Sequence, residues 1–348
     1  MFNNLLAYKV LHQNIEDLIR EIKRVEQQSE YLHNRLVGAI TQNEKDTINK
    51  IIINKISRII NYNASVISLY GYLELFIEEL IKEYLDDYCK MVPSFNQQTI
   101  KTKDSLFDGI IDISHKISHP KMKSHSIESL VELLYNAFFN DKNTLIPELF
   151  YQSGGNYNYK EISSSFSRLG MPLSEIRKYY PISGYIKMKG RERNSDESSC
   201  YEELNDLVAR RNEIAHGASS SSLLSEKMMI EYAKMIDLFC QSLLSFVRDK
   251  LYEIVWTNRI DSANEPVVLG HIFHEKTAHV KMGKGSVNIG DKAICYLQGA
   301  FPHYHSIQVE DIQVNGVGVS SLILGGNEYV TMRFDSRVRK KEKVLFLK

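Results

Sequence analysis

Apolar positions at the start of the chain recur in steps of three and four. Leu11, Ile15, Leu18, Ile22, Val25, Leu32 and Leu36 fall on one stripe with charged residues between them. That spacing predicts one long amphipathic helix over about residues 1–40, serving as a bundle helix or a coiled-coil arm. Thr41-Gln42-Asn43-Glu44 interrupts the stripe, and Asn43 is the expected cap of a second long helical stretch from Asp46 to Tyr88. This stretch is expected to bend near Asn61-Tyr62-Asn63 and to end before Pro93. Residues 93–124 carry no clear periodicity and read as a loop. Ser126 caps the next helix, IESLVELLYNAFFND, and a short helix is expected from Ser163 to Leu169. Arg191 and Arg193, followed by the polar NSDESS, read as an exposed loop.

The helical pattern then returns in EELNDLVARRNEIAHG. Leu204, Leu207, Val208, Ile214 and Ala215 form its core stripe, and Gly217 stands where a left-handed cap belongs. Ser219 to Ser222 predict a hinge. A last helix follows from Leu223 to Val255, with Met228, Met235, Phe239, Leu243, Phe246 and Leu251 facing inward. Beyond a polar connector the period changes to two. VVLGHIFH, AHVKMG, DKAICYLQ, SIQVEDIQV, EYVTMRFD and KVLFLK are short alternating segments divided by glycine-bearing turns. The fold class expected is therefore multidomain, α then β: an all-α helical bundle over 1–256, a linker over 257–266, and a small β-barrel over 267–348.

Composition narrows the function classes. Lys+Arg and Asp+Glu are both 43, so no global basic field marks a nucleic-acid binder, and any RNA contact must come from a local patch. The four cysteines, Cys89, Cys200, Cys240 and Cys295, form no close pair, which fits reduced thiols in a cytoplasmic protein better than a disulfide framework or a zinc site. No apolar run reaches the roughly 18 residues that a membrane span requires, and no signal peptide is legible at the N-terminus. A phosphate-cradling glycine loop followed by Lys-Ser/Thr is also missing, which excludes a GTPase. His115, His119 and His125 invite a metal reading, but Pro120 and the lack of acidic or thiol partners favour a basic surface loop. No metal and no cofactor are expected.

Chemistry concentrates at the end of the motif helix, where Arg210, Arg211, Asn212 and His216 crowd into the last turn and a half. At roughly 100° per residue, Asn212 and His216 lie about 40° apart, within reach of a hydrogen bond that would set the imidazole tautomer. Arg211 lies about 140° from His216 and meets it only through the reach of its side chain or by unwinding at Gly217. A bundle helix ending in solvated polar residues has the same spacing. Upstream, Glu74 sits between Leu73 and Leu75, placed to orient His216, to pair with Arg211, or to serve only as a structural carboxylate. In the C-terminal part Arg337, Arg339, Lys340, Lys341 and Lys343 form a basic strip. It is either a phosphate-binding surface or a solvated turn and protected edge. His303-Tyr304-His305 is placed to stack on a base or to cap a loop.

These residues carry a resemblance. An arginine, a polar neighbour and a histidine a few positions on, here in LVARRNEIAHG, resemble the HEPN (higher eukaryote and prokaryote nucleotide-binding) domains of RiboL-PSP-like ribonucleases. SLYGYLELFIEELIKEYL is similar to an upstream helix of the same families, and the likeness covers about the first 255 residues. It implies an all-α domain that forms a homodimer and, in many members, a metal-independent endoribonuclease of bacterial defence or toxin-type systems, with an antitoxin or trigger protein as a further partner. On that reading Arg211 grips the phosphate, His216 transfers the proton, Asn212 orients the histidine or the substrate, and Arg210 is a secondary cation. RNA can be cut by its own 2′-hydroxyl if the protein supplies an acid, a base and positive charge, and two motifs meeting across a dimer would supply them together. The alternative is a catalytically silent HEPN dimer that binds RNA or acts as a protein-interaction or sensor module. The strand rhythm of the C-terminal part resembles the second, β-barrel domain of elongation factor Tu, which makes tRNA an expected substrate.

Overall fold

The computed structural model describes residues 6–39, 41–51, 55–98, 100–115, 117–118, 125–150, 156–194, 196–217, 222–259, 267–273, 275–282, 285–324 and 328–347. It divides into two compact units, Met1–Leu244 and Ser245–Lys348.

The first unit is helical: α1 (Leu6–Gly38), α2 (Gln42–Ile51), α3 (Lys55–Met91), α4 (Ile100–His115), α5 (Ile127–Phe139), α6 (Tyr159–Arg168), α7 (Ile182–Met188), α8 (Glu202–Ala215) and the start of α9 (Glu226–Arg259). The long N-terminal helix is present, with Leu11, Ile15, Ile19 and Ile22 buried. Thr41, not Asn43, caps the helix that follows. Its hydroxyl accepts from the Glu44 amide at 3.2 Å while Glu44 accepts from the Thr41 amide at 3.0 Å, a reciprocal pair that satisfies two donors at the helix start.

Helix α3 runs without interruption through Asn61-Tyr62-Asn63, so no break in the helix falls there. Buried Tyr62, Val66, Leu69, Tyr70 and Leu73 continue one apolar face across that point, and the packing outweighs the weak helix propensity of asparagine and tyrosine. This helix packs against both α1 and α8. The 93–124 region is also not a plain loop. Helix α4 occupies Ile100–His115, with Leu106, Ile110 and Ile113 buried on an i, i+3, i+4 stripe that polar neighbours obscure. Ser126 caps α5 through a box with Ser129. Helix α6 begins at Tyr159, earlier than expected, because Asn158 caps it by accepting from the Glu161 amide.

The second unit holds the remainder of α9 and an antiparallel, curled sheet: β1 (Val267–Phe273), β2 (Thr277–Met282), β4 (Lys292–Tyr296), β5 (Tyr304–Val314), β8 (Glu328–Phe334) and β9 (Lys343–Leu347), with shorter β3 (Gly285–Asn288), β6 (Val317–Gly318) and β7 (Ser321–Leu324). The strand order is β4-β9-β1-β2-β8-β5-β6, and β4 also pairs with β5, which returns the sheet onto itself. Ala278, Val280, Ala293, Cys295, Ile307, Val309, Val330, Met332 and Phe334 fill its interior. Burial alternates along the middle of β5, whereas β4 buries Ala293, Ile294 and Cys295 in succession and β9 buries both Val344 and Leu345. Asp249 of α9 is buried beside the sheet. It accepts from the Tyr304 amide at 2.6 Å and lies 3.0 Å from His303 Nδ1, so His303 is part of this anchor. Trp256, Tyr296 and Tyr304 pack their rings together next to it.

Candidate functional site

Helix α8 changes character along its length. Its first half is core, with Leu204, Leu207 and Val208 buried against α3, each contributing roughly 1.5–3 kcal/mol of burial. A carboxylate is buried there as well. Glu203 receives both Arg191 guanidinium nitrogens, at 2.7 and 3.0 Å, and the Tyr185 hydroxyl at 2.9 Å. Burial pushes the Glu203 pKa up, but these bonds outweigh it and hold the group below the usual carboxylate range. Arg191 is therefore a fixed partner of α8, not a solvated loop cation, because an unpaired carboxylate at that depth would be costly. Arg193 is exposed.

The second half leaves the core. Ile214 is half-buried and Ala215 exposed, so the apolar stripe stops short of the helix end. His216 takes the cap position at φ −88°, ψ 7°, its amide bonded to the Asn212 carbonyl, and Gly217 follows at φ +70°. That left-handed residue turns the chain off the helix axis and leaves the His216 side chain exposed.

The two arginines of the motif lie in opposite settings. Arg210 donates Nε to Asp206 at 2.6 Å, and its Nη1 donates to the Tyr62 hydroxyl at 2.9 Å and to the Ser222 carbonyl at 2.8 Å. Tyr232 donates to the same Asp206 oxygen. Burial opposes the charge on Arg210, and its bonds to Asp206 and Tyr62 more than offset that, raising its pKa further. Its side chain is 15% exposed. Arg211 lies over the ring of buried Tyr70, 4.8 Å from the ring centre, and donates Nη1 to Asn212 Oδ1 at 3.0 Å. Among the described residues no carboxylate pairs with it. Its remaining donors form the flat fork that matches phosphate oxygens.

Asn212 thus gives its amide oxygen to Arg211, and among the described residues no hydrogen bond joins its side chain to the His216 ring. Glu74 is half-buried on α3, one turn beyond Tyr70, on the face that receives Arg211. Tyr70, the platform under Arg211, is a residue that the motif alone does not point to; its spacing of four from Glu74 is the signal that marks it. A cavity of about 280 Å³, lined by Leu18, Ile22, Arg58, Tyr62 and Met229 among others, adjoins the Tyr62 side of Arg210.

The remaining candidates are set apart in sequence and chemistry. His119 lies outside the described residues, and His125 stands 3.5 Å from Glu148. In the second unit, Arg337, Arg339, Lys340, Lys341 and Lys343 are all exposed. Arg337 reaches Glu275 at 3.3 Å, and Lys341 takes a left-handed conformation, φ +71°, in the tight turn closed by the Glu342 amide on the Arg339 carbonyl. Among the described residues, no helix is long and apolar enough to cross a membrane.

Comparison with known proteins gives one family. The model of the family described as RiboL-PSP-HEPN matches residues 39–249, a span that contains α3 and α8. No curated protein matches the chain. Among solved structures, the C-terminal domain of a Geobacillus thermoleovorans protein described as a putative U32 peptidase aligns at 12% identity and a TM-score of 0.22, covering 26% of this chain and 98% of its own.

Proposed function

This chain belongs to the RiboL-PSP-HEPN family, and we propose that it is a metal-independent endoribonuclease of that kind. The membership carries a nuclease or RNA-related role. The finer reading rests on one observation: of two adjacent arginines, Arg210 spends its donors inside the protein, whereas Arg211 lies over the ring of Tyr70, and the cap residue of their helix, His216, is exposed.

In the proposed reaction the 2′-oxygen of the RNA attacks the adjacent phosphorus as its proton passes to a base. The bond to the 5′-oxygen breaks and an acid protonates the departing oxygen. One end is left as a 2′,3′-cyclic phosphate and the other as a 5′-hydroxyl. An imidazole can give or take a proton, the part proposed here for His216, and Arg211 offers permanent charge to the crowded phosphate. Asn212 holds Arg211 in place, which is the role its hydrogen bond supports. Because each motif has a single histidine, we propose a homodimer in which two α8 ends face a common cleft. The family likeness favours a defence or toxin-type setting in the cytoplasm, with an antitoxin or trigger protein as a gate; tRNA as a candidate substrate follows instead from the strand rhythm of the C-terminal part.

The test is incubation of the purified chain with total RNA in excess chelator, with cut ends mapped chemically. Cyclic phosphate ends that disappear in both His216→Ala and Arg211→Ala support the proposal. Intact RNA that is still bound by the wild-type chain would replace it with a silent binding module.

A further inference from the structure

Cys295 on β4 stands directly opposite His305 on β5 in the sheet register, and opposite Val344 on β9. Glu342 precedes Val344 by two residues and so keeps the same face. Residues of three separate segments thus converge on the inner side of the second unit. One ligand atom from each, the Cys295 thiol sulfur, a ring nitrogen of His305 and a carboxylate oxygen of Glu342, all lie within 4.8 Å of one another. Cys295 and Glu342 have no exposed side-chain surface.

Among the described residues, two polar atoms at this place have no hydrogen-bond partner: Glu342 Oε1 and His305 Nε2. Buried polar atoms are almost always paired, and an orphaned carboxylate oxygen is among the costlier exceptions. Arg339 Nε approaches Oε1 only to 3.9 Å, from a side chain that is half exposed. His305 Nδ1 lies 3.8 Å from the same oxygen. Donors bound tetrahedrally to zinc at its usual bond lengths sit about 3.3–3.8 Å apart, so small rotations of the side chains bring the cluster to that geometry.

We propose that Cys295, His305 and Glu342 form a binding site for a divalent ion of the zinc class. Thiolate with imidazole selects borderline ions over magnesium or calcium, and a set of three protein ligands leaves a fourth position for water. Burial keeps the Cys295 thiol protonated well above its ordinary range, so coordination releases its proton to solvent. The ion ties β4 and β5 to the turn that carries Arg339, Lys340 and Lys341, and so fixes part of the basic strip. This site is independent of the nuclease reading.

The experiment uses the full chain, stripped with chelator, kept reduced and titrated with Co2+. The expected result is a tetrahedral visible spectrum with a sulfur-to-cobalt band, saturating at one ion per chain and abolished by added Zn2+. Cys295→Ser is expected to lose the sulfur band, and His305→Asn to weaken binding at least tenfold while far-ultraviolet circular dichroism stays unchanged. A folded wild-type chain without the sulfur band overturns the proposal, as does a band that survives in Cys295→Ser. Should Cys295→Ser not fold, the wild-type spectrum and His305→Asn decide.

Discussion

Replacing Arg211 or His216 by alanine is expected to lower RNA cleavage by about 10²–10⁴-fold, the usual worth of a positioned proton-transfer or charge-stabilising group. Thermal denaturation should move little, because His216 is exposed and Arg211 has no buried ion pair among the described residues. Arg210→Ala should behave the other way. It strips partners from Asp206, Tyr62 and the Ser222 carbonyl, and urea denaturation is expected to show a loss of roughly 1–3 kcal/mol. The sequence marks this cluster through residue type and helical spacing, which suffices to single out 210–216. Spacing does not distinguish the two arginines, which only the family resemblance ranks. Neighbours in a helix point about 100° apart, and which one meets Asp206 and which meets Tyr70 depends on packing against α3. The 40° separation of Asn212 and His216 likewise favours a bond between them, but the stronger donor next to Asn212 takes its amide oxygen.

Helix α8 depends on how its two ends are held. Gly217 stands at φ +70° with open space where a Cβ would go, so Gly217→Ala meets no clash and its cost is conformational alone, about 1 kcal/mol in denaturant unfolding. At the other end, Arg191→Ala removes two charged hydrogen bonds from buried Glu203 and leaves it only the Tyr185 hydroxyl and Lys189 at 4.0 Å, and is expected to cost about 3 kcal/mol. The pH dependence follows from the depressed Glu203 pKa. The ionised form stabilises the fold fully above the unfolded glutamate value of about 4.3, and that contribution is lost as pH falls below it toward the folded pKa. The gap in melting temperature between wild type and Glu203→Gln should therefore be complete at neutral pH and shrink below about pH 4. Elements with a continuous apolar stripe, such as α1 and α3, are legible from the chain alone. Helix α4 is not, because Lys101, Lys103, Asp104, Asp108 and Asp112 dilute its stripe. The stripe of α9 predicts Met228 inward, yet it is 44% exposed and Met229 is buried, a shift of one position at a helix start where the phase is least constrained.

For the whole molecule, a site shared by two chains has a quantitative signature. When wild-type chain is mixed and re-equilibrated with excess His216→Ala, cleavage should fall as the square of the wild-type fraction; a linear fall would mean that each chain acts alone. The basic strip makes a separate prediction. If Lys340 and Lys341 neutralise phosphates of single-stranded RNA, replacing them by alanine should flatten the logarithmic salt dependence of binding by roughly 0.7 for each phosphate left without its lysine. The change from helices to strands is legible because the apolar period changes from 3.6 to 2. The return of β4 onto β5 is not, since pairing partners are set by the whole sheet and not by any one segment. Nor is the meeting of Cys295, His305 and Glu342, which exists only in that register. The anchor on Asp249 bears on how the protein can be dissected. A recombinant fragment opening at Val267 would contain every strand yet leave His303 and the Tyr304 amide without their acceptor, whereas one opening at Ser245 carries its own clasp and is the piece to express.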